Sequence, residues 1–491
     1  MAALSIVATS AKSAAADGGN PRAYDILFEP GNSARMLLRS QYWGLFDNRG
    51  GSPTWSLLCS QAFGGRATSV ENFPTVVTRG GRILVAAEFG GLMMSDDTCT
   101  WRQSDGFGDQ QVYALAPFDT AGERFVAVSV KNENGPVVSR PYATADRGDT
   151  WTKLAGTFPD DFSAASAAVA PSDPKRIYVA GVTVNKGLRW LGVSADGGAS
   201  FVMLSIPAVD VTQLAPLTIV GVDPKNPDVV FVRADWDDTP TPPPPDELWV
   251  TSDAGKTWKQ AYVPKSDLPG FTYSPDGTKI LVAGRIDGIM GAPVADAIAG
   301  HADAFKQVFS RAVWGLSVND GKLYAGNDDF AMKPPFMLGV STDQGTTFTQ
   351  VMNHCQVEFP TCPADSSMEM QCREQWTRVG GYVYDLLDMG ECVKGMGGAG
   401  TAGVAGTSSA GVAGTTASEG AAGAAQGGGS SNGGTGSGGA PLVPARTRSS
   451  SGCTVGVTNP DETRLASFVA LLVAGILCRR APRRDEPLPR R

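Results

Sequence analysis

The chain has 491 residues, 42% hydrophobic and 18% charged, with a formal net charge of −8. Nine arginines but only four acids lie beyond residue 440, so the preceding chain is more acidic than the whole, and an acidic body excludes nucleic acid as the main partner, because phosphate binding needs the opposite field. Eight cysteines without paired C-x₂-C units, and only two histidines, His301 and His354, exclude a paired-cysteine zinc site and leave no metal and no cofactor expected.

Residues 1–23 combine a weak apolar stretch, Ala2 to Ala8, with the small-residue run Ala14-Ala15-Ala16, but lack a cationic start. They read as an export-like or disordered segment. Residues 24–354 carry an internal repeat, Ser/Thr-x-Asp-x-Gly-x-Thr/Ser-Trp/Phe. A stretched copy, Leu45–Trp55, contains Asp47, and a shortened one, Ser95–Trp101, contains Asp97. Thr144–Trp151 follows with Asp146, Gly148 and Trp151, then Ser194–Phe201 with Asp196, Gly198 and Phe201. Thr251–Trp258 has Asp253, Gly255 and Trp258; an eroded position lies in 291–305; Ser341–Phe348 has Asp343, Gly345 and Phe348. The pattern suits a turn between antiparallel strands. The carboxylate accepts backbone N–H groups of its own turn, the Gly takes a left-handed conformation, and the aromatic buries apolar area. These residues are therefore expected to build the fold. Strand-like apolar runs and turn signals around each copy give about four short strands per unit. The roughly 43- to 57-residue steps suit a propeller blade. The expected fold is all-β, a seven-bladed β-propeller of four-stranded blades; six or eight blades stay open because two copies are eroded. AYDILFEP near residue 24 and the strand-like residues 376–387 sit at opposite ends of the array and are candidates to complete one blade and close the ring.

Residues 355–394 form a cysteine-containing extension that closes or flanks the propeller, with Cys355, Cys362, Cys372 and Cys392 close together. Disulfides in an oxidising compartment are expected, and Cys59 with Cys99, one blade apart, is a candidate further pair. Residues 395–452 are almost entirely Gly, Ala, Ser and Thr up to residue 440. Such a segment cannot form a core and is expected to act as a flexible spacer with a mean reach of about 35–40 Å. Residues 453–491 read as a sorting or membrane tail: Cys453, the apolar run Leu465–Cys478 as a short helix, and then an arginine cluster including Arg479 and Arg480. The run is shorter than the ~20 residues that span a bilayer, and the arginines suit its cytoplasmic end.

The SxDxGxTW copies resemble the Asp-box, or BNR, repeat of bacterial propellers, a family that includes sialidases, glucan-degrading glycosidases, sortilin-type receptors and a photosystem II assembly factor. The resemblance covers roughly residues 24–350 and implies the propeller fold, not one function. The tail resembles the MYXO-CTERM sorting signal of myxobacterial surface proteins. That resemblance implies export, membrane retention and processing near Cys453, although here the gap between Cys453 and the apolar run is long.

The family's Arg-Ile-Pro segment is absent, so no sialidase-type catalytic residue carries over. A glycosidase needs two carboxyls about 5–10 Å apart. The acidic loop Asp235-Trp236-Asp237-Asp238, continuing through TPTPPPPDE to Glu247, is a weak set of catalytic candidates, and Asp328-Asp329 is a second of equal standing. No G-x-S-x-G elbow, phosphate loop or H-E-x-x-H occurs. The expectation is a non-enzymatic binding or scaffold propeller at the cell envelope, tethered to the membrane through its tail, with a protein or glycan ligand. The alternatives are a secreted glycoside hydrolase or an envelope-complex assembly factor.

Overall fold

The computed structural model describes residues 22–41, 43–65, 73–87, 91–108, 110–132, 136–185, 187–206, 217–235, 245–327 and 336–388. Alternating side chains build seven antiparallel sheets from consecutive strands. Blade 1 comprises Ala23–Glu29, Asn32–Ser40, Gly44–Asn48 and Trp55–Leu58. Blade 3 runs from Gln111–Pro117 to Thr152–Lys153, and blade 4 from Phe162–Ala170 to Val202–Ser205. Blade 5 comprises Leu217–Val222, Val230–Ala234, Glu247–Thr251 and Lys259–Tyr262. Blades 2, 6 and 7 begin at Thr75, Gly270 and Gly315.

The inner strands are apolar on both faces because each sheet is sandwiched between two others. In the second strand of blade 3, Val126, Val128 and Val130 pack against Ile177 and Val179 of blade 4. Their sequence neighbours Phe125 and Ala127 pack the other way, against Leu84 and Ala86 of blade 2. Every seam has such a cluster. The seam between blades 7 and 1 joins Met337, Leu338 and Met352 to Ile26, Leu38 and Phe46, which closes the circle. Gly315 and Gly326 permit that closure: a Cβ at either would stand 2.0 or 2.3 Å from the backbone oxygens of Tyr24 and Ala23.

Four turns between third and fourth strands share one hydrogen-bond pattern. Thr144, Ser194, Thr251 and Ser341 each donate a hydroxyl to the Asp two residues on, at 2.7–2.8 Å. Each hydroxyl oxygen accepts the N–H of Gly148, Gly198, Gly255 or Gly345 at 2.8–3.0 Å. The Asp carboxylate accepts the N–H of Thr150, Ser200, Thr257 or Thr347 at 2.8–3.0 Å and the hydroxyl of the same residue at 2.6 Å. The turn Gly has φ between +88° and +94°, and the residue before it is left-handed too, so a Cβ is avoided at the more extreme position. In blade 2, Asp97 accepts the N–H groups of Cys99 and Thr100 at 2.9 and 2.7 Å. Asp47 makes a different contact: it is buried and accepts from Arg35 Nε and Nη2 at 3.1 and 3.2 Å and from Arg49. At the eroded position of blade 6 a short helix, α1 (Val294–Ala299), replaces the turn.

The chain closes differently from the expectation. Blade 1 has four strands of its own, and a fifth, Val357–Glu358, adds in parallel to its outer strand. Residues 376–387 belong to a helix, α2 (Ser367–Asp388), rather than a strand. Ser366 caps it by accepting the Glu369 N–H at 3.2 Å, and Met368 and Cys372, one turn apart, face the core. Cys59 pairs with Cys372 and Cys99 with Cys362, not with one another, because the extension lies along the outer seam of blades 1 and 2. Cys355 is disulfide-bonded as well. No helix among the described residues is long and apolar enough to cross a membrane. Cys392, the linker, the apolar run, Cys453, Arg479 and Arg480 lie outside the described residues.

The turns predict a measurable acid response. Donation by Ser200 and Ser194 holds the Asp196 pKa down to about 2. Its contribution is therefore complete above the unfolded-state value of about 3.9 and is lost as pH falls through about 2. Urea-unfolding midpoints of the wild type should fall more steeply between pH 5 and pH 2 than those of Asp196→Asn; equal slopes would contradict the assignment. Asp253→Ala, which strands the same set of donors near the surface, should cost about 1 kcal/mol in a chemical-denaturation measurement at pH 7.

Candidate ligand-binding face

In up-and-down blades, connections of odd and even order lie at opposite ends of the strands. One face of the propeller therefore holds the first-to-second and third-to-fourth connections, including the acidic turns, which are nearly uniform. The other holds the second-to-third connections and those between blades. These vary widely, from 285–287 in blade 6 to 235–246 in blade 5 and 327–337 in blade 7. Variable connections on a repeated scaffold are where binding residues concentrate.

Blade 5 brings a charged group to this variable face. Arg233 and Asp235 lie at the end of its second strand and pair through Nη2 and Oδ2 at 3.2 Å. Arg233 Nη1 donates to the Leu268 carbonyl at 2.9 Å, and Asp246 Oδ2 accepts the Leu268 N–H at 2.7 Å. One residue of the connection to blade 6 is thus gripped at both backbone groups. Burial pushes the Asp246 pKa up to about 7, with the neighbouring Asp235 carboxylate adding to the effect and the Arg233 guanidinium opposing it. Burial disfavours the Arg233 charge, but Asp235 and Asp246 outweigh it and raise its pKa; the Tyr24 hydroxyl of blade 1 contributes in the same direction. Buried Arg189 of blade 4 is pushed down by desolvation against the fields of Glu247 and Asp235.

Blade 1 supplies the facing group. The Tyr24 hydroxyl and Arg22 Nη1 both donate to Gln41 Oε1, at 3.2 and 3.3 Å. The Arg22 guanidinium lies 4.3 Å from the centre of the Trp314 ring, which itself stands 5.7 Å from Tyr24. Beside blade 5, Lys265, Arg285 and Ile286 are exposed. Arginines, aromatics and carboxyls around one mouth can hydrogen-bond and stack a polar ligand. A carboxyl that titrates near neutrality beside a carboxylate can also exchange a proton.

The four sequence candidates separate. Asp235 joins the Arg233 group. Glu247 is buried and accepts from Trp249 Nε1 at 3.0 Å and Gln260 Nε2 at 3.1 Å, which gives it a bracing role. Asp237 and Asp238, like Asp328 and Asp329, lie outside the described residues. Sequence reasoning passes over Asp246 and Arg233. The spacing of Arg233 and Asp235, two apart at a strand end and so on one side, is the available signal. His354 is a core residue, fully buried against Trp43, and burial pushes its pKa down to about 3.

No family model matches the chain, and no curated protein does. Among solved structures, it is similar to an ancestral GH74 enzyme, with 15% identity, a TM-score of 0.40, and coverage of 56% of this chain and 36% of that one. It is similar to the GH74 xyloglucanase from Xanthomonas campestris, with 16% identity, a TM-score of 0.31, and coverage of 66% and 64%. It is also similar to the Kuenenia stuttgartiensis hydrazine synthase, with 12% identity, a TM-score of 0.46, and coverage of 69% and 98%. The chain spans less than two thirds of the length of these two GH74 neighbours, and likenesses at these scores do not bear on activity.

Asp246 is the residue to follow by titration. Its raised folded-state pKa means the folded protein holds a proton that the unfolded chain releases, so this group's contribution to stability declines as pH rises from about 4 through about 7. Carboxyl ¹³C NMR should show one Asp resonance titrating near neutrality. It should vanish in Asp246→Asn and move to higher pH in Arg233→Gln. An ordinary Asp titration for every resonance would refute the placement.

Proposed function

We propose that the chain is a non-enzymatic binding or scaffold propeller that displays its variable face at the cell envelope, with a protein or glycan ligand. The observation that carries this reading is the inequality of the two faces. At one end, blades 2, 3, 4, 5 and 7 carry turns whose carboxylates accept their own backbone; the other end combines unequal connections with the Arg22–Tyr24–Trp314 and Arg233–Asp235–Asp246 groups. The shared bonding of the four turns supports the Asp-box reading of the sequence, a repeat used by receptors and enzymes alike. Cys453, the apolar run and the terminal arginines support a tether of the MYXO-CTERM type, through which the head would be retained on the membrane after export.

A second reading, glycoside hydrolysis, is favoured by one observation: Asp246 is pushed towards neutrality beside the carboxylate Asp235, the environment expected of a proton donor next to a charged partner. Against it, Asp246 is engaged with Leu268 and Asp235 with Arg233.

The two readings part in a single assay. Purified full-length protein is applied to an array of neutral, amino and acidic glycans and to immobilised envelope proteins, and released reducing ends are measured. The binding reading expects retention without release of reducing ends. Retention should be lost in the triple variant Lys265→Ala/Arg285→Ala/Ile286→Ala and kept in Lys256→Ala on the turn face. Release of reducing ends that disappears in Asp246→Asn would establish the hydrolase instead, and no retention on any surface would remove the binding reading.

A further inference from the structure

The two disulfides with both partners among the described residues are nested in sequence. Cys59–Cys372 spans 313 residues and encloses Cys99–Cys362, which spans 263. Cys59 and Cys99 also lie far ahead of the next cysteine, Cys355. Until the seventh blade and the extension are present, Cys99 is the near partner open to Cys59, and Cys372 is not yet there. In an unstructured chain, closure falls roughly as the −3/2 power of loop length, so the loop of about 40 residues between them closes about 20-fold more readily than the native loop from Cys59. Partial folding also keeps them close, since Cys59 shares an apolar cluster with Trp101, two residues from Cys99.

Such a bond must be undone before the ring is finished. Cys59 and Cys372 are 0% and 1% exposed, so no external thiolate reaches their sulfurs after α2 has docked. Cys99 and Cys362 lie nearer the surface, with Cys99 at 9%. The order of assembly is thereby constrained: the Cys59 thiol must be free when Met368 and Cys372 arrive.

We propose that this chain is a client of a thiol–disulfide isomerase, which converts an early Cys59–Cys99 bond into the nested native pairs. The isomerase thiolate attacks Cys99 Sγ, forms a mixed disulfide and releases the Cys59 thiolate. The Cys362 thiolate then displaces the isomerase from Cys99, forming Cys99–Cys362 and restoring the catalyst, with no net oxidation. Cys59 and Cys372 finally lose two electrons and two protons to a disulfide oxidant, which leaves as two thiols.

The test starts from reduced, denatured full-length protein. It is refolded with glutathione disulfide, together with either an active thiol–disulfide isomerase or the same enzyme with its active-site thiols blocked. Samples are quenched by alkylation and peptide-mapped without reduction. The expected result is a Cys59–Cys99 peptide pair that accumulates early and then decays, and native pairs that form several-fold faster with the active enzyme. The double variant Cys59→Ser/Cys372→Ser, which cannot make the early bond, should lose that dependence while still forming Cys99–Cys362. Direct appearance of both native pairs without the Cys59–Cys99 species, or equal rates with active and blocked enzyme, would overturn the proposal.

Discussion

Burial of both faces of every blade is the constraint from which the architecture follows. A single four-stranded sheet with Val126 and Val128 on one face and Phe125 and Ala127 on the other cannot rest against one neighbour only. Leaving either face in water forfeits about 1.5–3 kcal/mol for each large side chain so exposed. Adding blades transfers the problem to the ends of the array until the last sheet meets the first. Closure then requires the backbones of blades 7 and 1 to approach closely, which the missing side chains of Gly315 and Gly326 allow.

The acidic turns act within blades, whereas arginines link neighbouring blades. Arg35 of blade 1 pairs with Asp47 and also donates to the Gly81 carbonyl of blade 2 at 2.6 Å. Arg82 of blade 2 binds Asp96 of its own blade and Asp149 of blade 3, at 2.6 and 2.7 Å. The chemistry differs in one respect that matters. A turn carboxylate that accepts its own backbone fixes a local conformation, and it works in any blade. The cross-seam arginines recur too: Arg82 and Arg176 stand just before Ile83 and Ile177, which pair with Ser95 and Ser194 in the same register, and they reach Asp149 and Asp228 of the following blade, but a single basic residue per blade is a weaker signature than an octapeptide.

That difference explains what is legible in the sequence. The octapeptides around Asp146, Asp196, Asp253 and Asp343 repeat because the same local bonds are needed each time, and they carry the fold class and the blade count. Asp47 looks like another copy because its neighbours include Gly and Trp, but its environment is set by Arg35, a residue from the adjacent strand. Helix α2 looks like a strand in its aromatic and β-branched residues, although Ser366 and Glu369 form the start signal of a helix. The candidate site is less legible still. Asp246 is distinguished by its setting beside Asp235 and Arg233 and by its grip on Leu268, 22 residues away, and neither property is written in the residues beside it.

The extension has a physical rationale that goes beyond closing the circle. The outermost strand of a blade exposes unpaired backbone groups, and proteins blunt such edges with charge or cover them. Arg102, Lys153, Lys259 and Lys306 stand on the outer strands of blades 2, 3, 5 and 6. The outer strand of blade 1 reads WSLL, without a charge, and Trp55 within it is fully buried. Val357–Glu358 pairs with that strand, and Thr54 donates to Glu358 at 2.8 Å at its start. A two-residue strand held only by its backbone would fray. The two disulfides that follow fix the extension to blades 1 and 2, so the cover is held by covalent bonds where its own hydrogen bonds are too few. Blades 4 and 7 carry no charge on their outer strands, VMLS and TQVM, so edge protection in this ring is uneven, and its covalent form falls where the first blade meets the cysteine-containing extension.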